Sequence, residues 1–156
     1  MIHEEYMERA IALAKKAAQL REAPVGCVIV RDGQIIGEGY NTREADKNAL
    51  AHAEIIAINQ ACAAVGGWRL FDCDLYVTLE PCPMCAGAMI NSRIANVFFG
   101  ASDKKAGSCG SVVDLFSLPY NHKPSAAGGI LERRCAALLT DFFKSLRAEK
   151  SKTNNM

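Results

Sequence analysis

Apolar and polar positions along this chain follow two periods, and the switches between them outline its elements. Between Glu4 and Leu20, the residues Met7, Ala10, Ile11, Ala14 and Ala18 recur at helical spacing, which predicts an amphipathic helix. "PVGCVIVRDGQIIGEGY" then offers two β-rich runs that meet at Asp32-Gly33, a short-hairpin signal. The polar "NTREADKN" reads as a loop from Asn41 to about Asn48. A second helix is predicted from about His52 to Val65, stopped by Gly66-Gly67. A strand over Cys73–Leu79, a helix over roughly Pro83–Ser92 and the strand "NVFFGA" follow, the compact βαβ order that forces a parallel pairing. After a Gly/Ser-rich loop, residues 112–127 look irregular with one helical turn near Val113–Phe116, and "GGIL" is the expected last strand. The final helix should run from about Glu132 to Glu149, with Ala136, Leu139, Phe143 and Leu146 on one stripe. Helix, hairpin, then alternating helix and strand predict an α/β fold, a mixed sheet with helices on both faces. One domain over residues 1–150 and a frayed tail over 151–156 complete the expected organisation.

Composition changes this picture little. Half of the 156 residues are hydrophobic and the formal net charge is +1, so the chain reads as globular with no global attraction to nucleic acid or membrane. The charge is uneven: residues 1–100 carry 9 basic and 12 acidic side chains, residues 101–156 carry 9 and 5. A basic C-terminal third could face phosphates, but a solvated helix face explains the same count. Seven cysteines are an odd number, and Cys27, Cys62 and Cys135 sit singly in apolar runs, as small buried hydrophobes do in a reducing compartment. The N-terminus is acidic and helical without a signal-peptide core, and no apolar stretch is long enough to cross a bilayer. The cytoplasm is the expected location.

Candidate chemistry gathers at two predicted helix starts. In "EPCPMCAGAMI", Pro81 keeps the preceding residue extended and Pro83 suits the first helical position, where its missing N–H costs nothing. Cys82 then lies near the N-cap and Cys85 one turn on, so both sulfurs can face one point where the helix dipole favours thiolate. Two thiolates at that spacing are half a zinc site. His52, which opens the second helix in "LAHAEIIAI", would add a third ligand and leave the fourth tetrahedral position open, as in a catalytic zinc. Glu54 lies two residues on, and the pair can converge only because His52 sits at the helix start, where its backbone need not be helical. A carboxylate in so apolar a run needs a task, and taking a proton from an activated water and delivering it to a leaving amine is one. Other readings suit the parts: a C-x-x-C can be a redox pair, a histidine at a helix start can be a cap, and Cys109 or His122 could complete a closed structural zinc.

Taken together, the H-x-E and P-C-x-x-C segments resemble the zinc-dependent cytidine/nucleobase deaminase superfamily, for which this pattern is a known signature. The closer resemblance is to bacterial tRNA-specific adenosine deaminases. It runs through "APVGCVIV", "YNTRE", "AHAEIIAI", "GGWRLFDCDLYVTLEPCPMCAGAMINSRI", "FFGASDKKAG" and "CAALLTDFFKSLR". It implies a three-layer α/β/α, cytidine deaminase-like fold with about five strands. It further implies Zn²⁺ on His52, Cys82 and Cys85, with Glu54 as the proton shuttle. Asn41 matches the family residue whose amide holds the base edge, Ala53 a position whose backbone touches the base, and Asp103 and Lys105 a loop that approaches the anticodon. The implied activity is hydrolysis of adenosine to inosine at the wobble position of tRNA, tRNA-Arg above all, by a homodimer that binds the anticodon loop across its interface. Two rivals stay open: a free-base or nucleoside deaminase for guanine or cytosine, and a non-catalytic RNA-binding protein with a structural zinc. The chain departs from the pattern in its C-terminal helix, whose basic edge is only Lys144, Arg147, Lys150 and Lys152, and in Leu79, where some relatives carry an aromatic.

Overall fold

The computed structural model describes residues 2–154. Its elements are α1 (Ile2–Gln19), β1 (Gly26–Arg31), β2 (Gln34–Tyr40), the short α2 (Arg43–Asp46), α3 (Ala53–Val65), β3 (Asp74–Leu79), α4 (Pro83–Asn91), β4 (Asn96–Ala101), a 3₁₀ turn (Leu115–Ser117), β5 (Ser125–Ala127) and α5 (Glu132–Asn154). The strands form one sheet in the order β2-β1-β3-β4-β5. β1 pairs antiparallel with β2 and β3, whereas β3–β4 and β4–β5 are parallel. The parallel step comes where α4 links β3 to β4, because a crossover helix returns the chain to the same end of the sheet.

Strand alternation sorts the core into two layers. Cys27 and Ile29 of β1 join Leu75, Val77, Val97 and Phe99 under α3 and α4. Val28 and Val30 point the other way and pack with Met7, Ala10, Ile11 and Leu13 of α1 and with Cys135 of α5. Successive side chains on a strand face opposite sides, so a sheet covered by helices on both faces needs apolar residues at consecutive positions, as observed in β1 from Cys27 to Val30.

The approach of α3 to the sheet is set by two residues without side chains. A Cβ on Gly37 would lie 2.4 Å from the carbonyl oxygen of Ala57, and one on Gly39 would lie 2.4 Å from that of Ala53. The helix thus rests its backbone on β2, and its N-terminus is fixed against the strand end. Gly37→Ala is therefore expected to cost about 1–3 kcal/mol of overpacking strain. The check is a chemical denaturation midpoint that falls with an unchanged m value.

Five details differ from the sequence expectation. The predicted 41–48 loop contains α2, whose N-terminal amides are held by a distant carboxylate, as described below. The helical turn sits at Leu115–Ser117, not Val113–Phe116, because the Asp114 side chain accepts the Phe116 N–H and starts it there. The last strand is Ser125–Ala127, not "GGIL": Gly129 and Leu131 take positive φ and carry the chain out of the sheet into α5. The helix α5 continues to Asn154, past the expected end near Glu149, as Lys and Arg in its last turns suit both helix propensity and the dipole. Residues 155–156 of the expected tail lie outside the described residues. The stripe forecast for α5 is also shifted, since Cys135 is its buried residue while Ala136 and Phe143 are exposed.

Candidate active site

Two helices start side by side at one end of the sheet, and their caps supply the chemistry. His52 is the N-cap of α3, with extended backbone at φ −80° and ψ 151°, and Cys82 is the N-cap of α4 at φ −75° and ψ 173°. Pro83 is the first residue of α4, and Cys85 lies one turn in, fully buried. The His52 Nδ1 stands 3.7 Å from the Cys82 Sγ and 3.5 Å from the Cys85 Sγ. Tetrahedral coordination with Zn–S of about 2.3 Å and Zn–N of about 2.0 Å separates ligand atoms by about 3.5–3.8 Å. Both nitrogen–sulfur distances therefore stand at the spacing that zinc demands, and the two sulfurs lie within 4.8 Å of each other. Among the described residues no fourth His, Cys, Asp or Glu joins this group, whose ligand atoms all lie within 4.8 Å of one another. Cys109 is not in it, and the other histidines are engaged elsewhere: His122 Nε2 with the Ile94 carbonyl, His3 Nδ1 with the Tyr76 hydroxyl.

The electrostatics prepare the same centre. The Cys82 thiol is drawn down to about 4 by its hydrogen bond from Cys85, against the cost of burial and with help from His52. The same hydrogen bond and its burial push Cys85 upward. Glu54, in the first turn of α3, is 3 % exposed. Burial pushes its carboxyl up to about 7, and the ion pairs among the described residues involve other acids, Glu8, Glu38 and Glu149. A buried acid poised near neutrality can both take and give a proton.

A cavity of about 540 Å³ opens over these groups. It is lined by His52, Ala53, Glu54 and Cys82 at the two helix starts, by Asn41 and Arg43, and by Ser102 to Ala106 with Asp103 and Lys105 among them. The residues singled out from the sequence thus meet around one space, except Cys85, which is buried outside its lining with its sulfur beside His52. Asn41 is nearly buried: its Nδ2 donates to the Ala23 carbonyl and its Oδ1 accepts the Arg43 N–H. Asp103 Oδ1 accepts the N–H groups of Lys105 and Ala106, so this carboxylate shapes its own turn and presents the lysine.

Other residues of the site were not read from the sequence. Leu139 and Phe143 of α5 close one side of the cavity, and Arg43 and Lys104 add cations to its rim. Two further buried carboxylates support the segments around the cavity, Glu80 from within its lining and Glu22 from outside it. Glu22, 1 % exposed, accepts the N–H groups of Glu44 and Ala45 and so starts α2. Glu80, 2 % exposed, accepts from Asp103, Cys109 and Ser111. Burial works against its charge, but hydrogen bonds from Ser111, Asp103 and Cys109 outweigh it and hold its pKa below the usual carboxylate range. The acid in the apolar setting of "YVTLEPCPM" signals such a role for Glu80, but the partners of both carboxylates lie more than twenty residues away and cannot be read from spacing.

Comparison with known proteins agrees with this chemistry. Residues 1–101 match the cytidine and deoxycytidylate deaminase zinc-binding region. The chain is 47% identical to a tRNA-specific adenosine deaminase of Bacillus subtilis (strain 168) over 146 residues, 93% of this chain and 91% of that protein. It superposes with a TM-score of 0.84 and 42% identity on a structure from work on A-to-I editing by tRNA:A34 deaminases at the wobble position of transfer RNA, covering 86% of this chain and 99% of that one. A guanine deaminase from Bacillus subtilis superposes with a TM-score of 0.65 at 42% identity, over 75% of this chain and 74% of the other. With its matched zinc-binding region and its near full-length likeness to these enzymes, the chain belongs to the zinc-dependent cytidine and deoxycytidylate deaminase family, among its tRNA-specific adenosine deaminases.

Proposed function

We propose that this protein hydrolyses adenosine to inosine at the wobble position of tRNA, with tRNA-Arg as its main substrate and residues 1–150 as one deaminase domain. The observation that carries this reading is the meeting of a three-donor cluster with a buried carboxylate at one cavity. His52, Cys82 and Cys85 would hold the zinc, and their spacing fits it. When bound, zinc supplies a Lewis acid that makes water a competent nucleophile at neutral pH. Glu54 takes a proton from the water that attacks C6 of the adenine and delivers it to the departing amino group, which leaves as ammonia. Asn41 and the Ala53 backbone orient the base edge, while Arg43, Lys104 and Lys105, which line the same cavity, offer cations to the phosphates of a bent RNA strand. A base in a loop is already partly unstacked, so extruding it into the cavity costs less than from a duplex.

A homodimer is part of the proposal. Leu50, Trp68, Phe71, Val112 and Val113 are exposed apolar side chains on segments flanking α3 and α4, and they support an interface on that layer. The described cysteines are all free, which suits the cytoplasm, and no helix among the described residues is long and apolar enough to cross a membrane.

The test is to incubate the zinc-loaded protein with a tRNA-Arg anticodon stem-loop and, separately, with guanine, cytosine and cytidine. Inosine at the first anticodon position is expected from the RNA alone. Ammonia released from a free base or nucleoside, without inosine in the RNA, would replace this reading by the rival deaminase activity. No turnover on any of them would leave the RNA-binding alternative.

A further inference from the structure

Glu80 is a buried carboxylate that forms no ion pair; those found among the described residues lie elsewhere. Its charge is met by the loop that follows β4. Oε1 accepts the Asp103 N–H at 3.1 Å and the Ser111 hydroxyl; Oε2 accepts the N–H groups of Cys109 and Ser111, each at 3.1 Å. The donors come from both ends of the segment 103–111, so one side chain closes the loop on itself. Gly107 folds directly over the carboxylate, and a Cβ there would lie 2.3 Å from the Glu80 Cδ and 2.4 Å from the Asp103 carbonyl oxygen. The loop's outer turn carries Asp103, Lys104 and Lys105 into the cavity wall.

Glu80 also stands two residues before Cys82, separated from it only by Pro81, and its own N–H is tied to the Ala101 carbonyl. One short, stiff stretch therefore bears a zinc-ligand candidate at one end and the anchor of the cationic loop at the other. The distance from the reacting centre to the loop lysines is set through it.

We infer that Glu80 is a positioning residue: its carboxylate holds the 103–111 loop so that Lys104 and Lys105 meet the RNA backbone at a fixed distance from the metal centre. The claim rests on the RNA-substrate reading above. It predicts a specific failure for Glu80→Gln. Both carboxylate oxygens accept from backbone N–H groups, so an amide in either orientation turns its NH₂ toward a donor. The loop should loosen while the metal centre stays intact.

The experiment has two arms. On the protein alone, amide hydrogen exchange should speed up in segment 103–111 of Glu80→Gln and not in α3 or α4. With the anticodon stem-loop, KM should rise about tenfold with kcat within about threefold of wild type, since lysine–phosphate attraction holds ground state and transition state alike. The slope of log KM against log salt should flatten by about 0.7 for each phosphate that the loosened loop no longer neutralises. Gly107→Ala, which keeps the carboxylate and displaces the loop, should reproduce the exchange, KM and salt changes. Adding Lys104→Ala and Lys105→Ala to Glu80→Gln should then change KM less than these substitutions do in wild type. Unchanged exchange in 103–111 overturns the inference, as does a fall in kcat with KM and salt slope unmoved in either variant. If the wild type makes no inosine, it is the substrate reading that fails; the exchange arm still decides whether Glu80 holds the loop.

Discussion

Glu54→Gln is expected to lower inosine formation by about 10³–10⁴-fold while zinc content and RNA affinity stay at wild-type values. The glutamine has nearly the volume of the acid, so the packed first turn of α3 need not move, and His52 at its cap keeps its place. What disappears is the group that can hold a proton between the water and the leaving amine. Burial has raised this carboxyl to about 7, close to the pH at which a single acid serves both steps best. Replacement by alanine would confound this loss with a cavity in the core, which is why the isosteric variant is the sharper test. Single-turnover assays, metal analysis and fluorescence anisotropy with labelled stem-loop separate chemistry from binding. Turnover within tenfold of wild type would remove Glu54 from the mechanism.

The second large effect is expected at the metal. Cys85→Ser should lower zinc affinity by more than about 100-fold, since even an outer partner of a ligand is worth 10–100-fold. A serine hydroxyl at this fully buried position does not ionise near neutral pH and is a poor match for zinc. Inosine formation should fall with the zinc content. In the wild type, stripping a metal present at 100 times its Kd removes about 2.7 kcal/mol of stability, a drop in Tm of about 5–10 °C. The fold should survive that loss, because the two apolar layers flanking the sheet are built largely from residues other than the ligands. Stoichiometric zinc in Cys85→Ser would refute the ligand set. Complete unfolding on chelation would instead assign the metal a structural task.

The candidate zinc centre was legible in the sequence because each of its parts is a local event. Pro83 marks a helix start, Cys82 and Cys85 are one turn apart on it, and His52 and Glu54 straddle another start; backbone stereochemistry over a few residues sets all of this. The β1–β2 hairpin was legible for the same reason, since Asp32 and Gly33 both adopt the positive φ that such a turn requires. Periodicity likewise placed α1, α3 and α4 to within a few residues. The resemblance to known deaminases then suggested roles for Asn41, Ala53, Asp103 and Lys105 that their local surroundings do not reveal.

What only the tertiary structure decided depends on groups far apart in the chain. Ser125–Ala127 is a strand because β4 offers it a register, though its small residues have weak strand preference, while "GGIL" turns away into α5. The cavity wall from Leu139 and Phe143 exists because α5 returns across the sheet, which no spacing between residues 54 and 139 could announce. Glu22 and Glu80 are single acids until the amides of two distant loops close on them. By itself the sequence determined where helices and turns begin, and with them where the candidate ligands and the proposed shuttle sit, because those features are governed by short-range sterics and hydrogen bonds. The shape of the site and the posture of its loops were left to long-range packing, where a buried charge is satisfied only by whichever backbone the fold brings to it.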